Sequence, residues 1–166
     1  YEAYKKLETK DIDYIINLQG DEPQIDEKDI INLNNLMIKN KLDIGTLGSN
    51  ISDFEDYSNE SIVKVKTKEL LSEKNFSLAL SFDRVRGIKD NKNIYHHIGV
   101  YAYNIESLEK FVKLDQTKNE KIKKLEQLRA LDNNLKINVA LAKSSPIGID
   151  THEDYVAIKK IMEYKS

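Results

Sequence analysis

Tyr14-Ile15-Ile16-Asn17-Leu18 is a nearly continuous apolar run that stops at Gly20 and Pro23, and it constrains the fold more than any other segment. A short run of this kind, bounded by turn residues, has the form of a strand buried on both faces, and a parallel central strand is its natural reading. Asp26 then offers an N-cap with Asp29 three residues on, and Ile30, Leu33 and Met37 recur at helical spacing. Strand patterns follow at Asp43 to Ile51, at Ile62-Val63-Lys64-Val65-Lys66, at Phe76, Leu78, Leu80 and Phe82 alternating with small residues, and at Ile98 to Tyr103. From Asn104 the pattern turns helical, with Leu108, Phe111 and Val112 on one face; a second helix is predicted from Asn119 to Leu131 with Ile122, Leu125 and Leu128 inward. Ile137, Val139 and Leu141 mark a last strand, and Thr151 with Asp154 reads as a capping box opening a final helix that lines up Tyr155, Ile158 and Met162. The order β-α-β-β-β-β-α-α-β-α predicts a single α/β domain over 1–166 with a mixed sheet. Neither an internal repeat nor a dividing linker interrupts it.

The chain has 166 residues, enough for one sizeable core. Lys and Arg number 26 against 28 Asp and Glu, a formal net charge of −2, and no block of one sign stands out. A general grip on nucleic acid or on an anionic membrane is therefore not expected, and any phosphate must be bound locally. With no cysteine, thiolate metal sites, disulfides and Cys nucleophiles are excluded. No apolar run of membrane-spanning length and no signal-peptide pattern occurs, so a soluble, cytoplasmic protein without membrane insertion is expected. The chain opens on Tyr1 within a helical pattern, which suggests a piece of a longer protein.

Ligands of open α/β sheets gather beyond the carboxyl ends of strands, which directs attention to Gln19-Gly20-Asp21-Glu22-Pro23. Its carboxylates suit a hard cation such as Mg2+, which takes one or two of them and completes its shell with water and phosphate oxygens; an acidic turn is the plain alternative. Asp150 sits between the last strand and the last helix and is not needed for the cap, so Asp21 and Asp150 together could seat a metal-bound triphosphate if the strands bring them together. In Tyr95 to Tyr103, strand alternation puts His97, Gly99, Tyr101 and Tyr103 on one face. That face is either a polar, aromatic wall for a sugar or a set of core tyrosines with wet tips. In Leu125-Glu126-Gln127-Leu128-Arg129, a Glu126–Arg129 pair on a solvated helix face is a sufficient account when the segment is taken alone.

Taken together, Asn17-Leu18-Gln19-Gly20-Asp21-Glu22-Pro23, His97-Ile98-Gly99-Val100-Tyr101-Ala102-Tyr103, Leu125-Glu126-Gln127-Leu128-Arg129 and Gly148-Ile149-Asp150-Thr151-His152-Glu153-Asp154, with Asn59 and Val63-Lys64-Val65, resemble the 3-deoxy-manno-octulosonate cytidylyltransferase family, the CMP-Kdo synthetases. The resemblance implies a Rossmann-like nucleotide-diphospho-sugar transferase fold, usually homodimeric. It implies transfer of a cytidylyl group from CTP to 3-deoxy-manno-octulosonate (Kdo), giving CMP-Kdo and pyrophosphate for lipopolysaccharide synthesis. On that model Asp21 and Asp150 hold Mg2+, Gln19, His97, Tyr101, Glu126 and Gln127 line the sugar site, and Arg84 matches an arginine near the sugar carboxylate.

Several positions depart from the family pattern. A basic, glycine-containing amino-terminal loop is not in these residues, so the chain reads as the carboxy-terminal two thirds of a cytidylyltransferase, and the 166 residues alone are expected to be inactive. Without that segment the flank of Tyr14 to Leu18 is expected to be an unpaired edge. The family's Ser-Arg-x-x-Ile-Pro stands here as Asp83-Arg84-Val85-Arg86-Gly87-Ile88, and Lys118 and Lys123 replace a Pro and a Glu. A cytidylyltransferase for another acidic sugar, or a non-catalytic paralogue acting as an interaction domain, are the rival readings.

Overall fold

A computed structural model describes residues 1–7, 11–20, 23–51, 59–84, 92–144, 146, 149 and 152–163. The elements run α1 (Glu2–Lys5), β1 (Tyr14–Asn17), α2 (Glu27–Asn40), β2 (Ile44–Ser49), β3 (Lys64–Thr67), β4 (Ser77–Asp83), β5 (Ile94–Asn104), α3 (Ile105–Phe111), α4 (Lys118–Lys123), α5 (Gln127–Asp132), β6 (Ile137–Leu141) and α6 (His152–Glu163). The strands form one mixed sheet in the order β1-β5-β2-β6-β4-β3, with β3 pairing also to β5. Because β1 and β2 are both antiparallel to β5 and β2 is parallel to β6, the carboxyl ends of β1, β2 and β6 leave the sheet at one edge.

The α/β class and mixed sheet expected from the pattern are present, and β1 is an edge strand of the described sheet, as expected of the Tyr14 to Leu18 flank, rather than the central parallel strand that its apolar run suggests. Among the described strands it has one neighbour, antiparallel β5, and its residues Tyr14, Ile15 and Ile16 are half-buried. The partners that decide a strand's position lie far along the chain: Tyr14 is registered with Asn104 and Asn17 with Tyr101. The strand buried throughout is β2, all six of whose residues are inaccessible.

Two apolar clusters sandwich the sheet. On one face Leu33, Leu36 and Met37 of α2 pack on Leu47, Ile98, Val100 and Ala102; on the other, Tyr101, Tyr103, Ile137 and Val139 lie under Leu108, Phe111, Leu125 and Leu128. α2 approaches β2 so closely that a Cβ on Gly45 would meet Met37 Sδ, so a larger residue there would push the Met37 side chain aside. Asp26 caps α2 as its spacing predicts, accepting a hydrogen bond from the Lys28 amide at 2.8 Å.

Two local patterns differ from expectation for physical reasons. In β4 the buried residues are Ser77, Ala79 and Phe82, while Leu80 is exposed. The pairing with β3 slips from Lys66–Ser81 to Thr67–Ala79, so Leu80 is an extra residue that shifts the alternation by one. The single helix predicted from Asn119 to Leu131 is instead α4 and α5, separated at Lys124, which adopts left-handed backbone angles of φ 52° and ψ 46°. That break re-phases the chain: Leu125 and Leu128 are buried, whereas Ile122, expected inward, is 66% exposed.

Candidate functional site

β5 is where the sheet forks. Its first residues pair with β3, ending at a 2.8 Å bond from the His97 amide to the Val63 carbonyl, and β1 takes over the same side at Tyr101. At the same level the pairing with β2 skips from Thr46–Tyr101 to Leu47–Ile98, leaving Gly99 and Val100 as extra residues on β5. Such irregularities re-aim side chains and recur beside active sites. Here His97 and Tyr101 share the face that strand alternation predicts, with Tyr101 Oη 3.0 Å from His97 Nε2.

Both residues are buried, within a continuous row of rings. Phe82 meets His97 edge-on at 5.1 Å between centroids, Tyr101 lies 5.5 Å beyond His97, Tyr103 stacks on Tyr101 at 6.0 Å, and Phe111 follows at 5.8 Å. Such contacts fix ring orientation and contribute beyond area burial. Burial, reinforced by His96, lowers the His97 pKa to about 3, so the imidazole is neutral near pH 7. Burial also raises the Tyr101 hydroxyl well above its usual range, with Tyr103 and Glu126 adding to the rise and a hydrogen bond with Thr46 opposing it. For Tyr103 burial again dominates, then Glu126, with Arg129 opposing. Glu126 is therefore within electrostatic reach of both tyrosines although its own side chain is exposed.

The turn carrying Glu126 and Gln127 is held by a buried ion pair that the motif did not reveal. Glu120 closes a capping box with Thr117 at the start of α4 and accepts two hydrogen bonds from Arg129, Nε at 2.9 Å and Nη2 at 2.5 Å. Arg129 also lies over the Phe111 ring at 5.0 Å. The predicted Glu126–Arg129 contact exists at 3.2 Å, as the outer member of this group. Gln127 is half-buried in the first turn of α5.

Arg84 follows β4 two residues after Phe82, and its Nη1 donates to the carbonyls of Glu60 and Ser61 at 3.3 and 3.1 Å. Lys64, itself buried, donates from Nζ to the carbonyls of Asn59 and Arg84, so residues 59–64 and the end of β4 are tied together. Two departures from the family pattern turn out to be partners: Lys123 Nζ stands 2.5 Å from Asp83 Oδ2. Gln19 is exposed just beyond β1, two residues past Asn17, which is registered with Tyr101.

Asp21 and Asp150 lie outside the described residues. Among the described residues no group of three or more His, Asp or Glu side chains could hold a metal, and no helix is long and apolar enough to cross a membrane. Buried Asp29, which the sequence offered only as a helix-start residue, faces the exit of β6. Its carboxylate accepts from the amides of Lys143 and Ser144, both at 3.0 Å, and from the Ser144 hydroxyl at 2.6 Å. The structure thus brings His97, Tyr101 and Glu126 to one region and adds Thr46 and, through Arg129, Glu120, while Asp29 stands apart at the exit of β6. The only sequence signal for Thr46 was a polar residue inside an otherwise apolar, glycine-flanked strand.

A cytidylyltransferase family model matches residues 1–137. The chain is similar to the 3-deoxy-manno-octulosonate cytidylyltransferase of Bartonella bacilliformis, 38% identical over 163 residues that make up 98% of this chain and 66% of that one. It is 40% identical over 156 residues to the protein of the same name from Thermodesulfovibrio yellowstonii, covering 89% of this chain and 60% of that one. It is also similar to a solved structure of CMP:2-keto-3-deoxy-manno-octonic acid synthetase complexed with CTP, with a TM-score of 0.80 and 30% identity over 99% of this chain and 66% of that chain. The chain spans about three-fifths to two-thirds of the length of the curated relatives it matches.

Proposed function

Because the chain belongs to the cytidylyltransferase family and has the nucleotide-diphospho-sugar transferase fold, we propose that the protein containing it transfers a cytidylyl group from CTP to Kdo, releasing pyrophosphate. The observation that carries the reading is the buried face of β5, where a neutral His97, Tyr101 and the nearby Glu126 occur on the residues whose motifs resemble the sugar wall. Neutral hydrogen-bonding groups in a row of rings suit a polyhydroxylated sugar, which needs directional donors and acceptors rather than net charge.

On this reading the anomeric hydroxyl of the sugar attacks the α-phosphorus of CTP in line. A new O–P bond forms, the α–β phosphoanhydride breaks, the hydroxyl proton passes to solvent, and pyrophosphate leaves. His97, Tyr101, Gln19, Glu126 and Gln127 orient the sugar hydroxyls, and Arg84 faces the sugar carboxylate. Positioning of this kind supplies much of the rate without a strong protein base. Asp21 and Asp150 would hold Mg2+, for which a pair of carboxylates is a suitable donor set. Support comes from β1 and β6, which run parallel to one sheet edge, and from Asp29, which fastens the chain after β6 to α2. When bound, the ion neutralises triphosphate charge and lowers the pKa of the attacking hydroxyl. The motif resemblance carries with it a homodimer acting in the cytoplasm toward lipopolysaccharide synthesis.

The test is an assay of the protein expressed from the complete reading frame, with CTP and Mg2+, offering Kdo and an acylneuraminate in parallel. CMP-Kdo formation in preference to the acylneuraminate product is expected; preference for the acylneuraminate assigns another acidic sugar, and no transfer to either overturns the reading.

A further inference from the structure

Thr46 is fully buried in the middle of β2, and its hydroxyl meets three acceptors or potential acceptors at once. Oγ1 lies 2.8 Å from the Val100 carbonyl, 3.3 Å from the Ile98 carbonyl and 3.0 Å from His97 Nε2. A hydroxyl has one hydrogen, and a carbonyl can only accept, so the shortest of these contacts takes it: Thr46 donates to Val100. Toward the imidazole Thr46 then presents a lone pair. If Nε2 were the bare nitrogen, two lone pairs would oppose each other at 3.0 Å beside a fully buried hydroxyl, which a buried polar network does not tolerate. Nε2 therefore carries the ring hydrogen, and Tyr101, whose Oη lies 3.0 Å from Nε2 and which also bonds Thr46, does not donate to it.

We infer that Thr46 is a positioning residue that sets the tautomer of His97, holding Nε2–H inward and leaving Nδ1 as a hydrogen-bond acceptor for a hydroxyl of the bound sugar. Nδ1 has no hydrogen-bond partner among the described residues, and an unpaired buried ring nitrogen calls for one. The neutral state of the imidazole agrees, since a doubly protonated ring would offer no acceptor. The site would thus select a hydroxyl donor at this position over a carboxylate or carbonyl oxygen. The sugar part of the inference rests on the proposed function; the tautomer does not.

The 166 residues hold three histidines, so in the 15N-histidine-labelled protein from the complete reading frame the His97 ring nitrogens are assignable by comparison with His97→Gln, without any substrate. The expected result is a protonated Nε2 and a bare Nδ1 for His97 in the wild type and in Thr46→Ser, and the reverse in Thr46→Val, where Tyr101 becomes free to donate to Nε2. A bare Nε2 in the wild type overturns the inference whatever the variants do. In the protein from the complete reading frame, Thr46→Val should raise KM for the sugar about tenfold with KM for CTP and kcat little changed, and Thr46→Ser should restore it. A switched tautomer with unchanged sugar KM overturns the recognition role. Absence of turnover in the wild type, with the tautomer as expected, counts against the proposed function and not against the role of Thr46 in the ring network.

Discussion

His97 joins packing to chemistry at a single residue. Its folded-state pKa of about 3 lies below the ordinary value of 6.5, so the folded protein resists protonation that the unfolded chain accepts. The associated stability is present above pH 6.5 and is lost as pH falls toward 3, because in that window the unfolded state binds more protons. Replacing His97 with Gln, which keeps an amide donor but does not titrate, should flatten the fall in Tm between pH 7 and pH 4.5 relative to wild type; parallel curves would contradict the burial argument. Tyr101 is tested through binding. Tyr101→Phe keeps the ring row from Phe82 to Phe111 but removes the hydroxyl, so in the protein from the complete reading frame Kdo affinity should drop about tenfold while CTP affinity holds. Unchanged Kdo affinity would make Tyr101 a core tyrosine and nothing more.

At the scale of elements, the short helices α4 and α5 depend on the Glu120–Arg129 pair, whose side chains are 5% and 12% exposed. Hydrogen bonding to Arg129 is the first cause of the lowered Glu120 pKa. Removing one member of a buried pair leaves the other uncompensated, so Glu120→Ala should cost about 3 kcal/mol in denaturant unfolding and should weaken Kdo binding by displacing Glu126 and Gln127. A loss under about 1 kcal/mol would show that the pair is relaxed by solvent. The Asp83–Lys123 pair, about a third exposed on both sides, contributes less than about 1 kcal/mol on the same reasoning.

These elements also show what the sequence made legible. The apolar runs that became β1, β2 and β5 and the spacing that became α2 were readable because periodicity is local. The break at Lys124 was not, since lysine is a good helix former and no glycine marks the left-handed position. The exposure of Leu80 is hidden for a related reason: a bulge depends on the partner strand, and Thr67 and Ala79 meet only after folding. Of the site, His97 and Tyr101 were legible because they stand four apart on one strand. Thr46 and Asp29 were not, because their partners lie 51 to 115 residues away.

For the whole molecule, one sheet edge receives the carboxyl ends of β1, β2 and β6, and the fork of β5 presents its buried ring face nearby. On the proposed function that edge is where CTP, the sugar and Mg2+ would meet, and Asp150 would be a metal ligand rather than a structural residue. The most direct measurement is the rate of CMP-Kdo formation, alongside thermal unfolding, for the wild-type protein from the complete reading frame and for Asp150→Asn. On the proposed function, CTP-dependent, Mg2+-dependent turnover is expected in the wild type, with a loss of at least about a hundredfold in the variant and Tm essentially unchanged. A wild type that makes no CMP-Kdo, or a variant whose activity falls only in step with its Tm, would contradict it.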